Sequence, residues 1–272
     1  MDKVLEFVSD RETIIKNFLS SKFSATIVSR IKSSLGNIKV NGETKIATDK
    51  LKVGDKITIF IKENSKSYQF KRDLGLKIIY EDEDILVLDK PKGVCSMSTF
   101  GHEETCLFAG LEHLYPGQVF RIVTRLDKDT EGLVLVAKNS ISHSILNESK
   151  IVKKYTALLK GKIYEDLTID APILRADGIR RVVDKNGKQA ITKLKVIKHI
   201  NNDTLCELEL LTGRTHQIRV HTAHIGHPVV DDTLYGFGNG EYNSGQRLKC
   251  TYIKFNHPLN DKIIEIDLGN FC

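Results

Sequence analysis

Residues 121–138 read RIVTRLDKDTEGLVLVAK, and few conformations suit such a stretch. The run Leu133–Ala137 is apolar throughout and opened by Gly132, while Val119–Val123 upstream is rich in β-formers. Short runs of branched residues bounded by polar ones read as strands. Nothing between them can fill a core, so the intervening charges, Thr and Gly form a loop held between two strands. Loops on a rigid frame are where catalytic groups are usually placed. The central carboxylate of this loop is Asp127. Arg125 precedes it by two residues, and positions two apart on an extended chain face the same way, so both can meet one substrate.

Charge divides the chain unevenly. Residues 1–75 hold 15 Lys and Arg against 9 Asp and Glu, a net of +6, whereas residues 76–272 hold 26 of each. A basic segment joined to a neutral one suggests a part that grips a polyanion and a part that does chemistry. The length of 272 residues allows one large or two ordinary domains. No stretch approaches the roughly 18 apolar residues of a membrane helix, and MDKVLEFVSDRE carries acids too early for a signal peptide. The five cysteines (Cys95, Cys106, Cys206, Cys250, Cys272) are scattered without a C-x-x-C. That usage predicts a reducing cytoplasm and argues against a disulfide frame or zinc knuckle.

In the basic segment, Ile14, Ile15, Phe18 and Leu19 form one helical stripe within residues 10–20, with Ser9 or Asp10 as cap. Ile27, Val28, Ile31 and Leu35 form a second within residues 24–35, with Ser24 as N-cap and Gly36 as the left-handed stop. Ile38–Val40 then runs into an Asn41-Gly42 turn, and Val53-Gly54-Asp55 leads into a strand over Ile57–Ile61. This order, with GNIKVNGE and LKVGDKITI, resembles the S-four RNA-binding domain, named after a protein of the small ribosomal subunit. The resemblance implies RNA phosphates facing the second helix and adjoining turn, where this chain offers Lys22, Arg30, Lys32 and Lys39. The boundaries expected are a domain over 1–62, a polar linker over 63–75 and a catalytic domain over 76–272.

The rest of the chain carries a second resemblance. Lys77–Tyr80 and Ile85–Leu88 form a strand pair ending in Lys90-Pro91-Lys92-Gly93, and helices are expected around Glu104–Tyr115 and Ile141–Glu148. Lys153–Leu159 is a strand, and Leu208–Leu211 another before the turn at Thr212 and Gly213. A helix follows from Thr215 to near Gly226, and Leu248–Phe255 with Lys262–Asp267 reads as a closing hairpin. The signature RLDxxTxGL, the opening EDEDILVLDKPKG, the K-x-Y-x-A strand and the run LLTGRTHQIRVHTAHIGHPVVDDTLYG together resemble the RluA-like family of RNA pseudouridine synthases. The implied fold is α+β, a mixed, largely antiparallel sheet flanked by helices.

The implied reaction converts uridine into its carbon-linked isomer. Asp127 is the catalytic carboxylate, attacking the ribose carbon-1′ or removing the carbon-2′ proton. By the same resemblance Arg125 enters the space left by a flipped-out base, Tyr155 stacks on the target uracil, and Arg214 pairs with Asp127. The family uses no cofactor and no metal. The partner expected is RNA, ribosomal more than transfer RNA because of the S-four module, with a monomeric protein in the cytoplasm. Two positions depart from the pattern, Thr124 where histidine is frequent and Glu131 where serine is frequent. Glu131 is expected to point away from the scissile bond, toward Lys128 or a backbone N–H. His216, His221, His224 and His227 beside Asp231 and Asp232 invite a zinc reading instead, although the spacing is not H-E-x-x-H. A non-enzymatic ribosome-associated RNA-binding protein, a transfer-RNA-specific synthase and a nucleoside hydrolase are the competing functions.

Overall fold

The interior is built on strands that are apolar on both faces. Leu133–Ala137 and Ile85–Leu88 are fully buried and pair antiparallel, Leu133 opposite Asp89 and Ala137 opposite Ile85. Branched residues on both faces of a strand need cover from both sides, which places this pair at the centre of a sheet. The computed structural model describes residues 3–33, 37–63, 68–236 and 245–270. Within them a ten-stranded sheet runs in the order Leu167–Asp170, Ile191–Ile200, Asp203–Leu210, Val152–Leu159, Leu248–Asn256, Glu131–Ala137, Ile85–Lys90, Lys77–Glu81. Ile263–Asp267 pairs beside Leu248–Asn256, and Arg121–Ile122 beside Glu131–Ala137. One junction is parallel, Glu131–Ala137 against Leu248–Asn256 at Gly132 opposite Cys250; the other pairings are antiparallel.

Gly132 explains the start of the strand after the Asp127 loop. Its φ is +110°, and a Cβ there would collide with the backbone of Cys250. Only glycine permits the two backbones to approach so closely.

A second, four-stranded sheet uses Lys3–Val8, Lys56–Ile61, Ile38–Val40 and Glu43–Thr44. The Asn41-Gly42 turn is as expected, with both residues at positive φ, as a two-residue hairpin demands. Two helices pack on the sheet, α1 (Ile15–Ser20) and α2 (Ala25–Lys32). The sequence reading starts α1 too early. Thr13–Ile14 pairs with Lys50–Leu51 as a strand, and Ser9 donates to the Arg11 carbonyl rather than capping a helix. Ser24 precedes α2 but donates to Glu148 Oε1 at 3.1 Å instead of capping it. Leu35 and Gly36 lie outside the described residues.

The two sheets share a seam. Helix α3 (Leu107–Leu114) covers the larger sheet, and α4 (Ser140–Glu148) lies between the two. Ile141, Ile145 and Leu259 join the core formed by Leu5, Phe18, Ile31 and Ile59. Glu63, with a side chain 2% exposed, binds Arg121 at 2.6 Å and accepts from the Ser140 N–H at 2.5 Å. Lys3 binds Asp84 at 2.6 Å, and Asp84 also accepts from Asn139. The polar stretch expected as a linker is held where it is described. Tyr68 donates to Ser98 at 2.7 Å, and Leu74 and Leu76 pack against the main core over Gly110.

Candidate active site

A cavity of about 890 Å³ opens where the Asp127 loop, the Tyr155 strand and the start of α5 (Gln217–His224) meet. Each wall is fixed by identifiable bonds. The Asp127 loop is closed at its root by Thr124, whose hydroxyl accepts from the Leu135 N–H at 2.9 Å. This gives the departure at Thr124 a local role. Ser96 clamps the loop's centre, donating to the Leu126 carbonyl at 2.6 Å and accepting from the Leu126 N–H at 2.9 Å. Thr130 accepts from Gln246 at the far end. Lys90, fully buried, donates to the carbonyls of Pro91, Val94 and Lys128. Burial lowers its pKa to about 8, against the attraction of Asp129 and neighbouring acids. The alternation along the loop matches the expectation from spacing. All four residues line the cavity, but Thr124 and Leu126 are buried while Arg125 is exposed and Asp127 half-buried.

The guanidinium on Asp127 is that of Arg219, not Arg214. Arg219 Nη1 lies 3.2 Å from Asp127 Oδ2. Its other two nitrogens hold Asp232 in a fork, Nε to Oδ2 at 2.7 Å and Nη2 to Oδ1 at 2.8 Å. Asp232 is itself fixed by the N–H groups of Leu234 and Tyr235, and the Tyr235 ring lies 5.1 Å from the guanidinium carbon. Burial opposes the charge of Arg219, but the two carboxylates outweigh it and raise its pKa. Burial likewise opposes ionisation of Asp232, and its hydrogen bonds reverse this and lower its pKa. Arg214 lines the cavity but is exposed, and its Nε donates to the Gln189 carbonyl at 3.0 Å.

The turn explains the exchange. Gln217 accepts from the Thr212 hydroxyl and the Arg214 N–H, and donates to the Ile191 carbonyl and Thr192. His216 then takes a left-handed conformation, φ 58°, directly before α5. This reversal sends Arg214 to the rim and brings Arg219, in the first turn of the helix, over Asp127. His216 Nε2 is 3.8 Å from Asp127 Oδ2, and Nδ1 is 2.9 Å from the Tyr235 hydroxyl, which accepts from the Arg181 N–H. On this network the neutral ring is assigned its proton at Nε2, facing Asp127. Burial lowers the pKa of His216, against the pull of Asp127.

Tyr155 lines the cavity at 5% exposure, and burial, with Cys250 and Asp127 adding, raises its pKa well above the ordinary value. Arg125 is exposed at the rim without a hydrogen bond or ion pair among the described residues. Glu131 heads its strand and lies outside the cavity wall. The pairing expected with Lys128 or a backbone N–H is not made among the described residues. The four histidines of the zinc reading diverge. His221 binds Thr192 and the Ala171 carbonyl, His227 the Lys160 carbonyl, and His216 Tyr235.

Of the basic residues in the N-terminal part, Lys22 lies over the rings of Phe7 and Phe18, and Lys39 over Phe60. Lys32 is exposed on α2. Arg30 is directed to α4, donating to Ser144 Oγ at 3.0 Å, so it serves the seam.

The result is one carboxylate with a fixed guanidinium on Oδ2 and no hydrogen bond to Oδ1 among the described residues, across a cavity from an aromatic ring. Such a site can take up a flat base and place a carboxylate against its sugar. Comparison with known proteins gives the same class. Residues 84–224, spanning Asp127, Tyr155 and Arg219, match the family model described as RNA pseudouridylate synthase. An uncharacterised RNA pseudouridine synthase of Bacillus subtilis (strain 168), YlyB, is 37% identical over 250 residues, 85% of this chain and 81% of that protein. The ribosomal large subunit pseudouridine synthase D of Buchnera aphidicola subsp. Schizaphis graminum is 32% identical over 255 residues, 85% of this chain and 81% of that protein. Among solved structures, human RNA pseudouridylate synthase domain containing 1 superposes with a TM-score of 0.62 at 30% identity, covering 72% of this chain and 83% of that one. The chain belongs to the RNA pseudouridine synthase family and is an isomerase acting on RNA.

Proposed function

We propose that this enzyme isomerises specific uridines in large-subunit ribosomal RNA, in the cytoplasm and as a monomer, with Asp127 as the reacting carboxylate. The observation that carries the reading is the placement of Asp127, which is the only acid among the described residues lining the cavity. The target uridine flips out of the RNA, its uracil stacks on Tyr155, and Arg125 fills the space it leaves. The carbon-1′–nitrogen-1 bond breaks as Asp127 takes the sugar carbon or removes the carbon-2′ proton. The uracil turns, carbon-5 bonds carbon-1′ as the bond to Asp127 breaks or the carbon-2′ proton is returned, the carbon-5 proton is lost and nitrogen-1 gains one. Atoms and charge balance, so the reaction calls for no redox cofactor.

The N-terminal module supplies RNA affinity in this reading, through Lys22, Lys32 and Lys39. Its resemblance to the S-four domain and its share of the basic charge support this. Arg30, engaged with α4, contributes to RNA binding only from its exposed edge. The choice of ribosomal RNA rests on that module and on the name of the Buchnera relative.

The test is a map of carbodiimide-reactive uridines in total RNA from cells with and without the gene. New sites in large-subunit ribosomal RNA are expected. Sites confined to transfer RNA would replace the substrate assigned here, and no difference would remove the reading.

A further inference from the structure

Lys153 stands apart from the other bases of the cavity. Among the described residues, the wall presents Arg125, Lys128, Lys153, Arg214 and Arg219 against one acid, Asp127. Arg219 is committed to Asp127 and Asp232, and Arg214 to Gln189. Arg125 and Lys128 are exposed to water. Lys153 is half-buried and has no hydrogen bond or ion pair among the described residues. Its Nζ lies 5.8 Å from the centre of the Tyr155 ring. The two residues share a face because they are two apart on Val152–Leu159, while Lys154 between them turns away to Glu207.

A half-buried ammonium without a counter-charge is costly in the free protein. A cation is held there at a gain only if a negative charge arrives. We propose that Lys153 is a further catalytic residue, whose ammonium stabilises the negative charge that collects on the uracil when its bond to the sugar breaks. This rests on the reading of Tyr155 as the platform for the base. The bonding pair of carbon-1′–nitrogen-1 leaves on the uracil and spreads to oxygens 2 and 4. The ammonium keeps its protons and gives a hydrogen bond to one of those oxygens. Because the charge is absent from bound uridine, the interaction strengthens only as the bond breaks, which lowers the barrier rather than tightening binding. Burial, with Arg125 adding, lowers the pKa of Lys153 and makes it a stronger hydrogen-bond donor. A phosphate contact is the other use for such a cation. Its place over the aromatic face, with Arg125 and Lys128 nearer water, favours the base.

The experiment uses the full chain and a target RNA carrying uridine or 5-fluorouridine at the modified position. Fluorine makes the departing uracil a more stable anion. Single-turnover consumption of the target nucleoside is measured for the wild type, Lys153→Met and Lys153→Arg, with Asp127→Asn alongside, and RNA affinity and thermal unfolding are measured for each. Lys153→Gln replaces the methionine variant if that does not fold. Lys153→Met is expected to slow uridine consumption about 100-fold, the loss seen on removing one preorganised donor, with RNA affinity unmoved and Lys153→Arg partly active. The defect should shrink on 5-fluorouridine. An equal defect on both nucleosides, or one explained by weaker RNA binding, overturns the proposal. Full activity of Asp127→Asn would instead overturn the reading beneath it.

Discussion

Lys22 in the N-terminal module rests over two phenylalanine rings, and Lys39 over a third, whereas Lys153 in the cavity lies beside the face of Tyr155 and pairs with no acid among the described residues. Residues 1–75 carry the net charge of the chain, yet most of their described bases sit at the surface, where water and salt screen them. The larger part is neutral in sum, yet among the described residues its cavity gathers five Lys and Arg around one acid. In the function proposed here, net charge marks the part that binds a polyanion, and local imbalance in a partly closed space marks the part that does chemistry. The seam between the two regions is itself ionic, through Glu63 and Arg121 and through Lys3 and Asp84. Removing the module would bare Ile141, Ile145 and Leu259, so its contribution is better tested by single charges than by truncation.

The two arginines of the cavity should differ most in what they hold. Arg219→Met would leave Asp232, whose side chain is fully buried, without its counter-charge. We expect a loss of about 3–5 kcal/mol in urea unfolding, as for other broken buried pairs. Arg214→Met, at the exposed rim, should stay within about 0.5 kcal/mol. Similar losses for both would mean that the fork on Asp232 is not what holds the site.

A smaller effect is expected at the surface of the module. Replacing Lys22, Lys32 and Lys39 by Gln should reduce the salt dependence of RNA binding by about one unit of slope per contact. Single-turnover rates at saturating protein should not change. A slope like that of the wild type would show that the cations over the phenylalanines serve the protein fold alone.

The smallest effect is on pH-dependent stability. His221 is fully buried, accepts from Thr192 and donates to the Ala171 carbonyl, and burial lowers its pKa below the ordinary 6.5. The unfolded chain then binds a proton near pH 6.5 that the folded chain does not. This contribution is complete above about pH 6.5 and is lost as the pH falls from there toward the folded pKa. Urea midpoints should decline over that range, by at most about 1.4 kcal/mol per pH unit from this residue. Replacing His221 by Gln should flatten the decline, and an unchanged slope would contradict the neutral ring.

Much of this was legible in the sequence because it depends on local pattern. Short runs of apolar and branched residues marked the strands, Asn41-Gly42 the hairpin, and the charged loop between two apolar runs the position of Asp127. The identity of its arginine was not legible. Arg214 and Arg219 occur five residues apart in one run, and the choice depends on the left-handed backbone of His216, which histidine does not signal. Asp232 was visible only as a possible metal ligand, since its pairing with Arg219 spans the end of a helix and a turn. The strand Lys3–Val8 was missed because its exposed Val4 and Val8 break the expected alternation. The seam through Glu63 links residues 58 apart, beyond the reach of any local pattern.

The central claim is that the carboxylate of Asp127 reacts and is not merely a partner for Arg219. Asp127→Asn keeps the size and the hydrogen-bonding shape of the side chain but removes the charge. Single-turnover formation of pseudouridine on the mapped target, with RNA affinity measured in parallel, tests it directly. The account predicts unchanged binding and no product. Product formation by that variant at a rate near that of the wild type would contradict it.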